Sequence, residues 1–338
     1  MASIPIPARA EPHPNLRALN VLRDLPQVAD LIELCFHKNA DRDGEDTLRD
    51  MRRASQDEPW LHWANNAMES ASMPLNGYVW EENGKIVGNA SLILFRHKRK
   101  KITMLANVAV HPDFRHRGIA RAVASRAMHH ARERGAHELW LNVRDDNPDA
   151  LDLYNDLGFR EHSRRTQWTV SDGPIPAAAD QFQVAPRHAR QWPSQQAWLA
   201  RDHPEELAWY RAWNFNGLAP GIWNWLYFLF VDMNLRQWSA SRGDQLHAVL
   251  SWTPDGSRRE PLWLALGPDS APAAATSLLV HARRELGRRR FLLDHPAGRA
   301  DDSIRAAGFV AQRTLIWMRA DGATEQASMR TSNQKEQQ

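Results

Sequence analysis

The feature that most restricts this chain is a repeat in the order of its predicted elements. In the first half, strands at residues 77–80 and 85–95 flank an Asn83-Gly84 turn, and a third strand runs over 102–110. A long helix then opens near Gly118 and ends at Gly135, with Ile119, Ala122, Val123, Ala127 and Ala131 on one face. A strand at 138–143, a short helix at 148–157 and two closing strands at 159–163 and 165–170 follow. The second half repeats this order in weaker form: a hairpin at 236–241 and 245–252 about Gly243-Asp244, a strand at 261–266, a helix at 273–286 and a strand at 291–294. Gly308-Phe309 lies 150 positions after Gly158-Phe159, so Tyr154 corresponds to Ile304 and Asn147 to Ala297. Agreement of five elements in order predicts a tandem duplication of an α/β unit.

The predicted organisation is a proline-punctuated disordered tail over 1–15, a first domain over 16–170, a linker rich in glycine, proline and alanine over 171–180, a second domain over 181–320 and a polar disordered tail over 321–338. In the first domain, Asp24 reads as the cap of a helix with Pro26 in its first turn and Val28, Leu31, Ile32 and Cys35 on its inner face. A second helical stretch is predicted between residues 45 and 71. At 338 residues, with 43% hydrophobic and 25% charged residues, the chain is neither wholly disordered, collagenous nor a coiled coil. Cys35 is the single cysteine, which excludes an intrachain disulfide and a Cys-rich zinc site. The longest unbroken apolar run, 225–231, is far short of the roughly 20 residues that span a bilayer, and residues 1–14 lack a secretory layout. The expectation is a cytoplasmic protein with no membrane partner. A net charge of +3, from 43 basic and 40 acidic residues, is too balanced to argue for nucleic acid. Of 15 tryptophans, five precede residue 171 and ten follow it, so the two halves have different interiors.

The chemistry is carried by the junction Val110-His111-Pro112-Asp113-Phe114-Arg115-His116-Arg117-Gly118-Ile119-Ala120-Arg121. A strand stops at Pro112, a loop turns, and a helix starts near Gly118. Helix starts expose unpaired N–H groups and the positive end of the dipole, and small residues let an anion approach the main chain. The pattern lacks the three spaced glycines of a dinucleotide fingerprint and the Gly-Lys-Ser/Thr ending of a P-loop. Asn147, Ala150, Leu153-Tyr154 and Leu157-Gly158-Phe159 follow it.

In this combination residues 16–170 resemble the GNAT superfamily, the acetyl-coenzyme-A-dependent N-acetyltransferases. The resemblance implies an α/β (α+β) fold of two GNAT-like domains, each a central mixed, mostly antiparallel sheet flanked by helices, with the second degenerate. It implies that Asn107, Val108, Ala109 and Val110 form the central strand whose backbone pairs with the pantetheine arm and offers an N–H to the thioester oxygen. Arg115, His116, Arg117, Gly118, Ile119, Ala120 and Arg121 match the pyrophosphate loop for acetyl-CoA, and Asn147 matches the asparagine that holds the cofactor near the next strand. Tyr154 matches the general acid beside the thiol leaving group. The implied activity is acetyl transfer from acetyl-CoA to an amine by direct attack on the thioester, with a small-molecule acceptor favoured over a protein. The second half lacks the loop, the tyrosine and the asparagine, so its expected part is to shape the acceptor site.

The chemistry accounts for these groups independently. Amine attack on a thioester develops an oxyanion and expels a thiolate, so the site needs an N–H donor at the carbonyl and a proton donor at sulfur. A tyrosine stays protonated at neutral pH, whereas a lysine-like amine with pKa about 10.4 is almost entirely charged and must lose a proton first. Many members of the family place a glutamate on the central strand or on the strand after the long helix. This chain has Asn107 and Asn142 there. A water relay, Asp145, Glu33 or an acceptor of low pKa remain as routes for that proton. The missing carboxylate also favours a second reading, an acyl-CoA-binding sensor or scaffold without turnover.

Each residue has a plainer reading as well. Tyr154 could serve packing, Asn147 could cap the helix that begins at Pro148, and Arg115 could cap the preceding loop. His111, His116, His129 and His130 form no zinc pattern with a carboxylate, and no metal is expected. The basic run 96–101 reads as a solvated hairpin tip, Cys35 as a buried inert thiol, and Trp209, Trp213, Trp223 and Trp225 as core or interface.

Overall fold

The computed structural model describes residues 13–36, 48–49, 51–52, 76–177, 181–210, 215–221, 235–254, 258–287 and 289–322. The chain divides into two compact units, Met1–His162 with Trp317–Gln338, and Ser163–Ile316. The expected tails over 1–15 and 321–338, the helical stretch 45–71 and the residues Trp213, Trp223 and Trp225 lie wholly or mostly outside the described residues.

The first unit contains β1 (Leu16–Ala18), α1 (Val21–Phe36), β2 (Asn76–Glu82), β3 (Lys85–His97), β4 (Lys100–Val110), α2 (Ile119–Glu133), β5 (Glu138–Arg144) and α3 (Pro148–Asp156). Its strands run in the order β1-β2-β3-β4-β5, and the end of the last strand of the chain, β12 (Phe309–Asp321), lies beside β5. Neighbours among β1 to β4 are antiparallel, and β4 and β5 are parallel. Asn83 and Gly84 both have positive φ, 51° and 76°, as a tight hairpin turn with the strand twist requires. The basic run forms the tip of the next hairpin, with Lys98 and Arg99 also at positive φ. One sheet face is covered by Leu25, Val28, Ala29, Leu31 and Ile32 of α1, which pack on Val79, Ile86 and Ala109. α2 buries Ile119, Val123, Ala124, Ala127, Met128 and Ala131. It comes so close to the sheet that a Cβ on Gly88 would stand 2.6 Å from Ile119. Gly88 pairs with Val110, so this approach sets the height of the helix start against the end of β4.

α1 begins one turn earlier than expected. Asn20, rather than Asp24, caps it: the Asn20 side chain accepts from the Arg23 N–H (3.1 Å), and the Asp24 carboxylate accepts from the Asn20 N–H (2.7 Å). Asp24 is buried inside the helix, where Arg17 and Arg23 neutralise it.

The second unit contains most of β6 (Arg160–Val170), β7 (Gln183–Pro186), α4 (Trp192–Asp202), β8 (Arg236–Arg242), β9 (Gln245–Trp252), β10 (Glu260–Leu266), α5 (Pro272–Leu286), β11 (Phe291–Pro296), α6 (Asp301–Ala306) and the first part of β12. Its strand order is β12-β6-β11-β10-β9-β8-β7. Only β10 and β11 pair in parallel among the recorded registers. α5 packs Ala274, Leu278, Leu279 and Ala282 against Trp238, Leu250, Leu264, Leu293 and Phe309 on one side. Leu199, Val249 and Ala265 form a second cluster with Trp192, Trp198, Phe215 and Trp263.

The described elements follow one order twice, strand-helix-three strands-helix-strand-helix-strand, from β1 to β6 and from β7 to β12. There are two differences from the sequence reading. The two expected closing strands, 159–163 and 165–170, are one continuous strand, Arg160–Val170, within which Arg165 is buried against Asp294 at 2.5 Å. The units divide at His162/Ser163 and Ile316/Trp317, within β6 and β12, and not in the stretch 171–180. Each unit is completed by strand residues from the other half of the sequence.

Candidate active site

The site region starts from an irregularity in β4. Asn89 pairs with Ala109 and Ser91 with Ala106, so β4 carries one extra residue in a bulge. Asn107 takes up the extra length at φ 51°, a left-handed conformation that asparagine tolerates better than most side chains. Asn89, fully buried, donates from its amide to the Asn107 carbonyl (2.8 Å) and to the Ser91 hydroxyl (3.1 Å). The recorded pairing of β4 with β5 ends at Met104 and Trp140. Beyond it the backbone of Leu105 to Val110 has an edge with no strand partner among the described residues. Val108, Ala109 and Val110 lie on that edge. The bulge escaped the sequence reading, which placed Asn107 on a regular central strand and at the position of a missing carboxylate; its tolerance of positive φ was the available signal.

β4 leads into the loop. The His111 N–H donates to Val87 (2.8 Å), residues Pro112–Phe114 form one 3-10 turn, and His116 and Gly118 adopt positive φ of 59° and 77°. Gly118 is the N-cap of α2, with no side-chain cap and no acidic residue in the first turn. The helical ladder begins with the Ala122 N–H on the Gly118 carbonyl (3.0 Å), which leaves the N–H groups of Gly118, Ile119, Ala120 and Arg121 without intrahelical acceptors. A Cβ built on Gly118 meets nothing within 4 Å. The cradle is open and its donors are backbone.

The arginines of the loop are turned back onto the protein. Arg115 donates from Nε to the Val110 carbonyl (3.3 Å), where the Cys35 thiol also donates (3.3 Å). Burial pushes the Cys35 thiol pKa up, against an opposing effect of Arg115. Arg117 donates to the Asp113 carbonyl (3.0 Å) and lies over the Phe114 ring. Arg121 pairs with Asp156 (2.6 Å), which ties the first turn of α2 to α3 and so to the remaining two predicted residues.

On α3, Asn147 is the N-cap: its side-chain oxygen accepts from the Ala150 N–H (3.3 Å), and Pro148 occupies the first turn. Tyr154 is buried in the last turn, edge-on to Phe159, and Gly158 at φ 92° turns the chain into β6. Burial pushes the Tyr154 phenol above its ordinary value, so it is a proton donor throughout the neutral range. Of the groups considered as a base, Glu33 pairs with Arg52 (2.5 Å) and Asp145 is exposed. The carboxylate of β5, Glu138, sits at the opposite end of that strand, held ionised by Lys100 (2.6 Å) and the Trp140 indole N–H (2.9 Å) despite its burial. Among the described residues no cluster of histidine, cysteine and carboxylate side chains is arranged to hold a metal ion.

Residues 29–159 match the model of the acetyltransferase (GNAT) family. This segment is a GNAT domain. Among curated proteins it is 40% identical over 70 residues to the ribosomal protein bS18 alanine N-acetyltransferase of Escherichia coli, covering 20% of this chain and 47% of that protein. It is 36% identical over 94 residues to the L-amino acid N-acyltransferase MnaT of Escherichia coli, covering 25% and 52%, and 31% identical over 127 residues to the mycothiol acetyltransferase of Thermobispora bispora, covering 38% of each. The chain thus spans about half the length, or less, of the curated relatives it matches. A GCN5-related N-acetyltransferase from Sphaerobacter thermophilus shares the fold, with a TM-score of 0.52 and 16% identity over 91% of this chain and 96% of that one. The fold is therefore the α/β one expected, with GNAT-like architecture. No helix among the described residues is long and apolar enough to cross a membrane.

Proposed function

We propose that the chain is an N-acetyltransferase that moves an acetyl group from acetyl-CoA to an amine. The observation that carries this is the junction of the β4 bulge with the uncapped start of α2: an unpaired strand edge leads into a ring of free N–H groups around an open glycine. An extended amide arm fits the edge, and a pyrophosphate fits the helix start. The residues present suit that cofactor, which would supply the activated acetyl group. Val108, Ala109 and Val110 would hold its arm, with a backbone N–H set to receive the thioester oxygen as charge develops there. The loop from Arg115 to Arg121 would hold its phosphates, and Asn147, already fixed as a helix cap, would border it with its amide. Tyr154 would deliver a proton to the departing sulfur, and burial keeps that proton in place.

The absence of a carboxylate from the open part of β4 and β5 bears on the acceptor. The α-amino group at the end of a peptide, with pKa about 7.7–8.0, is neutral in appreciable fraction at pH 7, whereas a lysine amine is not. The site therefore suits an acceptor that needs no strong base, the α-amino group of a peptide or small peptide-like molecule. Two of the relatives are named as N-acyl transferases of an alanine and of L-amino acids. The test is release of free CoA thiol from acetyl-CoA with a panel of amino acids, dipeptides and lysine-blocked analogues. Turnover that follows the α-amino group supports the proposal. Tight acetyl-CoA binding with no amine-dependent release would favour a sensor or scaffold instead.

A further inference from the structure

We propose that Asn89 is a positioning residue for acetyl transfer: from β3 it turns the peptide between Asn107 and Val108 so that the Val108 N–H faces the place of the thioester oxygen. This rests on the acetyl-CoA reading above, and it names the donor which that reading leaves open among Val108, Ala109 and Val110.

Asn89 pairs with Val79 of β2 and with Ala109 of β4, and residues paired across strands share a face of the sheet. Val79 and Ala109 belong to the cluster beneath α1, so the Asn89 side chain lies on that face, beside two apolar partners and fully buried. A carbonyl only accepts, so the group 2.8 Å from the Asn107 carbonyl is the amide nitrogen of Asn89. The same nitrogen donates to the Ser91 hydroxyl at 3.1 Å. Both amide hydrogens are then used, and Oδ1 has no hydrogen-bond partner among the described residues. A buried polar atom left unpaired costs about 1–3 kcal/mol, which a hydrocarbon side chain of the same size would avoid. Packing alone therefore does not call for an amide at this position.

What the amide supplies is direction. The recorded register gives neither Asn107 nor Val108 a partner on β3, so the Asn89 side chain fixes a peptide that the ladder does not. A trans peptide is planar, with its C=O and the N–H that follows pointing opposite ways. The Asn107 carbonyl points back to Asn89, so the Val108 N–H points away from β3, toward the edge of β4 that lies beyond its recorded pairing with β5. The rest of the strand agrees. The His111 N–H donates to the Val87 carbonyl on β3 (2.8 Å), and strand backbone groups alternate in direction, so Val108 and Val110 turn theirs to the open edge. The Val110 carbonyl is engaged there by Arg115 and Cys35, at 3.3 Å each, and Val110 stands two residues nearer the phosphate loop. The Val108 N–H is thus the edge donor closest to the bulge. A donor aimed before the reaction stabilises a developing oxyanion at no cost in reorganisation.

Infrared difference spectroscopy tests this on the full-length chain, with acetyl-CoA carrying carbon-13 at the thioester carbonyl, and it needs no turnover. Asn89→Leu keeps the volume and removes the amide, and Asn89→Ala guards against crowding. In the wild type the bound carbonyl band should lie below that of free acetyl-CoA, and in both variants it should return toward the free value. With an acceptor amine, kcat should fall about tenfold or more in the variants, while the KM for acetyl-CoA stays within about threefold, because the phosphate loop is untouched. The unliganded unfolding transition should drop by no more than about 5 °C, since the unpaired oxygen leaves with the side chain. A bound band that is unshifted in the wild type, or equally shifted in the variants, overturns the role of Asn89 and leaves the acetyl-CoA reading standing. Loss of folding or of acetyl-CoA affinity in both variants makes Asn89 a structural residue and also overturns it. A folded wild type that binds no acetyl-CoA overturns the reading itself, and this proposal with it.

Discussion

Tyr154 sits in a short helix with its phenol buried and its acidity suppressed. Tyr154→Phe removes the proton donor and little of the packing, so kcat should fall by about 10²-fold or more while the KM for acetyl-CoA stays within about twofold. In the intact enzyme, kcat/KM should rise with pH to the pKa of the acceptor amine and then stay level, because a phenol held above its ordinary value does not ionise on the alkaline side. A pH–rate profile with a descending limb near pH 9 would contradict the assignment. A second residue prediction concerns His295, fully buried on β11 with no partner for either ring nitrogen among the described residues. Burial holds its pKa down to about 4, with Arg165 and Arg299 lowering it and Asp202 and Asp294 opposing them. The unfolded chain takes up this proton near pH 6.5, so stability is full above that value and falls as the pH drops toward 4. Denaturant unfolding should lose about 2 kcal/mol between pH 7 and pH 5 from this group, and His295→Leu should remove that part. Tyr154 and Asn147 were singled out in the sequence by the resemblance to the GNAT superfamily, Asn147 also by its place before Pro148. His295 was not, since its environment comes from strands distant in sequence.

At the level of elements, the site depends on one bulge and one helix start. Asn107→Gly should keep both the bulge and acetyl-CoA affinity, because glycine accepts positive φ. Asn107→Val puts a β-branched residue at φ 51°, strained by about 1–3 kcal/mol, or lets β4 flatten. It should weaken acetyl-CoA binding by about tenfold or more by calorimetry. Equal affinity in the two variants would show that the bulge is dispensable. The order of strands and helices was readable from period and turn residues: Asn83-Gly84, Gly118, Gly135 and Gly158 all sit at the turns they predict. β7 and α4 were missed, the first being four residues long and the second starting at Trp192-Pro193 with weak apolar periodicity. The bulge was missed because it is a matter of register, which hydropathy does not record.

Across the whole molecule, each unit is closed by residues from the other half of the sequence. The first unit takes Trp317–Asp321 at the edge of β5, and the second takes Ser163–Val170 beside β11. A fragment ending at residue 170, the boundary suggested by composition, would leave the β5 edge bare with Leu139, Trp140 and Leu141 behind it. It should aggregate or melt well below the full chain, as read by size-exclusion chromatography and circular dichroism. A fragment with the stability and acetyl-CoA affinity of the full protein would refute the strand exchange. The repeated order of elements was legible in the sequence because period and turn residues record it. The exchange was not, because alternation of side chains states which face of a strand is buried and not which neighbour it pairs with.

The claim at the centre is that the start of α2 binds acetyl-CoA. The direct measurement is thermal unfolding of the full chain with and without acetyl-CoA, with NADH as a control, for the wild type and for Gly118→Glu, each variant against its own unliganded transition. Ligand at 100 times its dissociation constant adds about 2.7 kcal/mol, which for a unit of this size raises the transition by roughly 5–10 °C. The account predicts that rise with acetyl-CoA in the wild type, none with NADH, and none in Gly118→Glu. A folded wild-type protein, free of prebound cofactor, whose transition does not move with acetyl-CoA would contradict it.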